Sequence, residues 1–217
     1  ENWETAAGLL DVMSTRVIEN EATAEHVAYC WDKLISHFDG KAGPVPPFAN
    51  ANCPLFVTWK KRSRANPGGE PQLRGCIGNL SPMDLHSSLG KYVLISALQD
   101  RRFSPIDAGE LPLLECTVSL LTNFEEDLKW NDWEVGTHGI IIEFESPSNG
   151  YGHSYSATYL PEVAKEQGWT KEEAIDSLVQ KAGFRGILNR DAIRLTRYQS
   201  SIHTSSYQEY LARKESS

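Results

Sequence analysis

Cysteine is scarce in this sequence. Four thiols (Cys30, Cys53, Cys76 and Cys116) are spread over 217 residues. That is too sparse for the disulfide framework of a secreted domain, and they read as reduced thiols of a cytoplasmic or nuclear protein. Positive charge is also in the minority, with 21 Lys and Arg against 29 Asp and Glu, a net charge of −8. Such a field repels polyanions, which disfavours nucleic acid and anionic membrane as partners. No uncharged apolar run approaches the ~18 residues of a spanning helix. No signal peptide is visible, but residue 1 is Glu, so a leader removed before it stays open. Internal repeats and low-complexity tracts are missing too.

Ready-made ligand motifs are equally thin. No two cysteines are close in sequence, and the six histidines (26, 37, 86, 138, 153 and 203) are scattered, so no metal site is expected. His26 and Cys30, four apart on one helix face, could start a two-ligand set. Cys30, however, belongs to the apolar stripe of that helix, which favours a packing role. Gly75-x-x-Gly78 lacks the third glycine of a dinucleotide fingerprint and the Lys-Ser/Thr of a P-loop. It follows a strand, whereas the comparable loop of an RNA-binding module joins two helices. No cofactor can be read from the chain.

What is present is the balance of a globular protein: 40% hydrophobic and 23% charged residues, with 16 Gly and 11 Pro. Disorder, collagen and coiled coil are excluded for the whole. A chain this long buries roughly 70% of its unfolded surface and needs no staple. One large domain or two small ones would fit.

The periodicities predict a mixed set of elements. Thr23 to Gly40 is a helix, with Val27, Cys30, Trp31, Leu34, Ile35 and Phe38 on one stripe. Leu55–Lys60 and Leu73–Leu80 are partner strands. Ser81-Pro82-Met83-Asp84 is expected to open a helix running to about Gln99. Leu114–Leu120 alternates as a strand with one buried face. Two more strands, Gly139–Phe144 and Tyr151–Tyr159, flank a turn at 147–150. Pro161–Gln167 and Thr170–Gly183 are helical, the second opened by a capping box. Ile193–Tyr198 is a strand, and Ser205–Leu211 a last helix with Ser205 and Gln208 in capping positions. Strands and helices do not alternate regularly, so the fold class is α+β, not doubly wound.

The most unusual stretch is Leu73-Arg74-Gly75-Cys76-Ile77-Gly78. Two glycines interrupt a strand, which costs stability unless the backbone needs positive φ or something approaches closely. Cys76 stands next to Arg74, whose charge would favour the thiolate if their side chains meet. The plainer reading is a small buried thiol beside a β-bulge. Asp100-Arg101-Arg102-Phe103 follows a helix end, where Arg binds an anion or satisfies helical carbonyls, the latter being the simpler role. A Cys–His–Asp set could combine Cys76, His86 or His138, and Asp100. The basic run Lys60–Arg64 reads as a solvated hairpin loop that blunts a sheet edge. The tryptophans sit mostly in core-like contexts.

The sequence resembles the AMMECR family. Leu73–Gly78 is similar to its L-R-G-C-I-G signature, and Pro54–Lys60, Ser96–Phe103, Val118–Phe124, Asp132–Gly136, His138–Ile140 and Thr158–Ala164 match as well. The likeness spans most of the chain from about Thr23 to Leu211, in wording closer to the eukaryotic branch. Asn79-Leu80 departs from the usual Thr-Phe, the connection Ala65–Pro71 looks extended, and residues 183–192 match poorly. These departures bear on loop-dependent partner choice. The resemblance implies a mixed, mostly antiparallel α+β fold in two unequal subdomains with a cleft between them, near which the signature lies. It implies a single domain over 23–212, preceded by an extension or helix over 1–22 and followed by a tail over 213–217. In prokaryotes similar domains accompany Memo-type proteins and radical S-adenosylmethionine enzymes, which points to small-molecule metabolism but assigns no reaction. The candidate positions are Cys76 as a catalytic residue, with Arg74, Gly75, Gly78, Asp100, Arg102 and Phe103 as substrate-binding residues. Two partner classes follow: a small anionic molecule in the cleft of an enzyme or ligand-binding protein, or protein partners of a non-catalytic adaptor.

Overall fold

The structure, a computed structural model, describes residues 21–66, 68–146 and 153–216. The expected N-terminal extension (all but its last two residues) and the turn at 147–150 lie outside them. In chain order the elements are α1 (Ala24–Phe38), β1 (Asn52–Lys61), β2 (Gln72–Asp84), α2 (Leu85–Leu98), β3 (Leu114–Leu128), β4 (Gly139–Ser146), β5 (His153–Tyr159), α3 (Pro161–Glu166), α4 (Lys171–Lys181), β6 (Arg194–Ser206) and α5 (Tyr207–Glu215). The six strands form one curled sheet in the order β2-β1-β3-β6-β4-β5. Every neighbouring pair is antiparallel, so the class is α+β.

Several boundaries move for identifiable reasons. β2 does not give way to a helix at Ser81, because its ladder with β1 continues to Met83 and Asp84, opposite Cys53 and Asn52. Pro82, which has no N–H to donate, falls in the irregular stretch between the Leu55 and Cys53 pairs, where a strand tolerates proline. The helix cap is therefore Asp84, whose carboxylate accepts from the Ser87 N–H. At the other end of the chain, β6 keeps pairing through Ser206, opposite Glu115. The capping box of α5 is thus Ser206 with Glu209, one residue beyond the expected pair. β6 is also longer than its apolar core suggests. Gln199–Ser206, polar except for Ile202, stay extended because each pairs with β3. Lys60 and Lys61 belong to β1, which lies between β2 and β3; they do not blunt an edge.

Two apolar clusters lie along this one sheet. In the first, Trp31 and Leu34 of α1 and Leu89 and Val93 of α2 pack with Val57, Trp59, Val118 and Tyr210. Trp31 and Trp59 meet edge to face at 5.0 Å, and the Trp59 indole N–H donates to Ser96 Oγ at 3.1 Å. In the second, Ile140, Ile142 and Leu195 face Ile175 and Leu178 of α4, with Trp133 beside them. Each aliphatic side chain so buried contributes roughly 1.5–3 kcal/mol. Registers place the remaining face. Trp59 lies opposite Gly75 and Cys116 on the core side. Cys76, Thr58, Thr117 and Thr204, aligned across four strands, therefore point to the other side.

Candidate functional site

The signature strand begins with a β-bulge. Lys60 pairs with Leu73 and Trp59 with Gly75, leaving Arg74 as the extra residue. The bulge breaks the alternation and turns Arg74 away from Cys76. Its Nε and Nη2 each donate to Glu110 at 2.9 Å, and Nη1 donates to the Ser104 carbonyl at 2.6 Å. Lys61 donates to the same carboxylate at 2.6 Å. Burial opposes the charge on Glu110, but the bonds from Arg74, Lys61 and the Asp107 N–H outweigh it and hold the carboxyl at about 2. Arg74 is thus a strut between β2 and the 3-10 turn Ala108–Leu113, and it does not activate the cysteine.

Both signature glycines are there for close approach; neither has positive φ. A Cβ on Gly75 would collide with the Ser96 carbonyl oxygen of α2, and one on Gly78 with the Leu55 carbonyl and the Phe56 ring. Between them Cys76 is clamped from the far end of α2. Asp100 Oδ2 accepts the Cys76 N–H at 3.0 Å and Arg102 Nη2 at 2.7 Å. Arg102 Nη2 also donates to the Cys76 carbonyl at 3.0 Å, so it serves β2 and not the last carbonyls of α2. The Phe103 ring lies 5.4 Å from the guanidinium carbon. The bonds from Arg102, with those from the Cys76 and Arg102 N–H groups, hold Asp100 at about 2 against the effect of its burial.

The Cys76 thiol accepts from Thr58 Oγ1 at 3.2 Å, and it alone of the four cysteines is not fully buried. Burial raises its pKa, and the nearby charges of Glu162 and Asp100 push the same way; Thr58 and Arg102 offset this only in part. The thiol is the resting form. Neither histidine joins it. His86 Nε2 is engaged with the Phe48 carbonyl at 2.7 Å, and His138 Nδ1 accepts the Glu134 N–H at 3.0 Å. The His26–Cys30 pairing dissolves likewise: His26 Nδ1 accepts the Thr23 N–H at the start of α1, and Cys30 lies in the core. Among the described residues no group of three or more His, Cys, Asp or Glu could hold a metal ion.

The structure adds two residues that local sequence reading passed over. Glu162, in the first turn of α3, acts electrostatically on Cys76. Its Oε2 is buried with no hydrogen-bond partner, and burial raises its pKa. Lys181, the last residue of α4, donates to the Thr158 carbonyl at 2.8 Å and stands 4.5 Å from the centre of the Tyr159 ring. The side chain is exposed, and the partial burial of its amine lowers its pKa; the charge of Arg102 adds to that and Cys76 opposes it. Lys60 Nζ, 3.7 Å from Glu166 Oε1, ties β1 to α3. Tyr198 donates to the Tyr159 carbonyl at 3.1 Å. Glu162 and Lys181 look in sequence like an ordinary first-turn acid and last-turn base. Their only sequence signal was the Thr158–Ala164 match, which includes Glu162.

Comparison with known proteins decides the family. A sequence model described as AMMECR1 matches residues 22–203. The chain belongs to the AMMECR1 family. An uncharacterised protein of Arabidopsis thaliana is 54% identical over 194 residues, covering 88% of each chain. An uncharacterised Schizosaccharomyces pombe protein is 44% identical over 158 residues, 73% of this chain and 78% of that one. Among solved structures, an uncharacterised protein from Pyrococcus horikoshii has a TM-score of 0.66 at 26% identity, covering 85% of this AMMECR1-family chain and 91% of its own.

Proposed function

We propose that this AMMECR1-family protein takes a small anionic molecule into a cleft between β2 and the α3–α4 side, where Glu162 moves a proton. It would then be an enzyme of small-molecule metabolism, with the sheet's two apolar clusters marking two subdomains. One observation carries the reading: the buried Glu162 Oε2 has no partner. Leaving a buried polar group unpaired costs about 1–3 kcal/mol, a cost that a bound ligand would remove. Burial favours the protonated carboxyl, so Glu162 is poised to donate. Arg102, with 55% of its side chain exposed, and Lys181 supply the positive charge. Cys76 contributes a protonated thiol and a fixed backbone, not a standing thiolate nucleophile.

An adaptor role through the loop 61–71 has less support, because Lys61 and Arg62 are already paired with Glu110 and Glu115. The test is a thermal-shift and native-mass-spectrometry screen of carboxylates and phosphates against the wild-type chain, Glu162→Gln and Arg102→Leu. An anion that binds the wild type and loses about tenfold affinity in each variant, roughly 1.4 kcal/mol, is the expected result. Binding unaltered by both substitutions, or no binding of any anion, would end the proposal.

A further inference from the structure

A groove of about 740 Å³ lies at the end of β2 beyond the signature. It opens on the Cys76 side of the sheet, since Leu80 alternates with Cys76 along β2. Leu80 and Pro82 of β2 form one apolar side, Phe124 of β3 the middle, and Glu143 of β4 with Arg194 of β6 the other side. The middle is an irregular stretch of β3. Its pairing with β6 steps between Thr122 and Glu125 and again between Glu125 and Leu128. Asn123 and Asp127 take positive φ there, 53° and 56°, a conformation that Asn and Asp adopt more readily than other side chains. Phe124, Glu126 and Asp127 line the groove as a result. Tyr198 covers one face of the Phe124 ring, centroids 5.1 Å apart and planes 21° from parallel, yet Phe124 is still 37% exposed. The charge is one-sided, with Glu126, Asp127 and Glu143 against Arg194 alone. Arg194 stands 3.8 Å from Glu143, and among the described residues neither Glu126 nor Asp127 enters an ion pair.

We infer that this groove docks an extended peptide segment of a protein partner, presenting an arginine beside apolar residues. A guanidinium is flat, so it lies on the free face of Phe124 while its N–H groups donate to the carboxylates of Glu126 and Asp127. The ammonium of lysine has no flat face and gains only part of this. Apolar neighbours of the arginine cover Leu80 and Pro82. A free small cation would fill the charged side and leave the apolar side wet, whereas a chain segment covers both. The groove shares no residue with the anion cleft and takes the opposite charge, so either can be refuted alone.

The test is selection of a random heptapeptide display library against the intact wild-type chain, with the enriched peptides measured by fluorescence anisotropy. The expected outcome is enrichment of peptides with arginine beside an aliphatic or aromatic residue, whose binding weakens as salt rises. Phe124→Ala, and Glu126→Gln combined with Asp127→Asn, should each weaken that binding by about fivefold, at an unchanged melting temperature because these side chains are exposed. Citrulline in place of the arginine should weaken binding to the wild type by a similar factor, a readout that needs no variant. Enriched peptides without arginine, binding that both variants leave unaltered, or no enrichment at all overturns the peptide groove. Agmatine binding as tightly as the peptides overturns it too, and marks a site for small cations instead.

Discussion

At the scale of single residues, the burial of Cys76 governs its chemistry more than the arginine beside it in sequence. The bulge at Arg74 sends that charge to Glu110, and the guanidinium that holds the Cys76 carbonyl, Arg102, is matched by Asp100. The thiol's pKa lies above the ordinary 9.0, and the thiolate is the reactive species. Alkylation of Cys76 by iodoacetamide should therefore still be accelerating as pH rises past 9.0. A rate that has reached its plateau at neutral pH would show an activated thiolate and contradict this. The same logic explains why two site residues escaped notice. Nothing local distinguishes Glu162 from a helix-opening acid, or Lys181 from a helix-closing base; the unpartnered buried oxygen of the one and the Thr158 carbonyl and Tyr159 ring that meet the other do.

At the scale of elements, β2 positions the site by how closely it lies against its neighbours. Gly75 faces the α2 backbone and Gly78 the β1 backbone, with no room for a Cβ at either. Gly75→Ala must push β2 off α2, because the obstructing Ser96 carbonyl is main chain and cannot swing aside. A loss of about 3 kcal/mol is expected, the upper end of ordinary overpacking, measured by urea unfolding. Gly109→Ala is the control: its Cβ would meet only the Asp107 side chain, and it should cost under about 1 kcal/mol. Equal losses at the two positions would refute the close-packing account. Much at this scale was legible in sequence. The helical stripe of α1 and the capping box of α4 formed as their periodicity requires. The starts of α2 and α5 were misplaced because strand pairing, which is non-local, extended β2 and β6 into their caps.

At the scale of the molecule, two buried carboxylates tie distant segments together and set the response to acid. Asp100 joins the end of α2 to β2, and Glu110 joins the 3-10 turn to β1 and β2. Both have folded pKa values of about 2, against 3.8 and 4.5 when unperturbed. A depressed carboxylate stabilises fully above its unfolded value and loses that contribution as pH falls through the folded one. Stability should thus be flat well above pH 4.5 and drop between there and pH 2, by roughly 2 kcal/mol for Asp100 and roughly 3 kcal/mol for Glu110. Urea titrations across that window check the slope. Asp100→Asn should remove part of it and Glu110→Gln another part, and a wild-type slope retained by both variants would refute the assignment.

By itself the sequence determined most element types, the apolar stripes, the lack of an uncharged apolar run long enough to span a membrane and the strand that carries Cys76, because local periodicity and turn chemistry carry those. It also held the likeness to the family that the comparisons established. Only the tertiary structure decided that β6 enters between β3 and β4, that Arg74 faces Glu110 and not the thiol, and that Glu162 buries a carboxyl oxygen without a hydrogen-bond partner. Each of those depends on strand register and on contacts between residues far apart in the chain. A bulge of one residue reverses which side chain faces the site, and no local pattern around Arg74 foretells it.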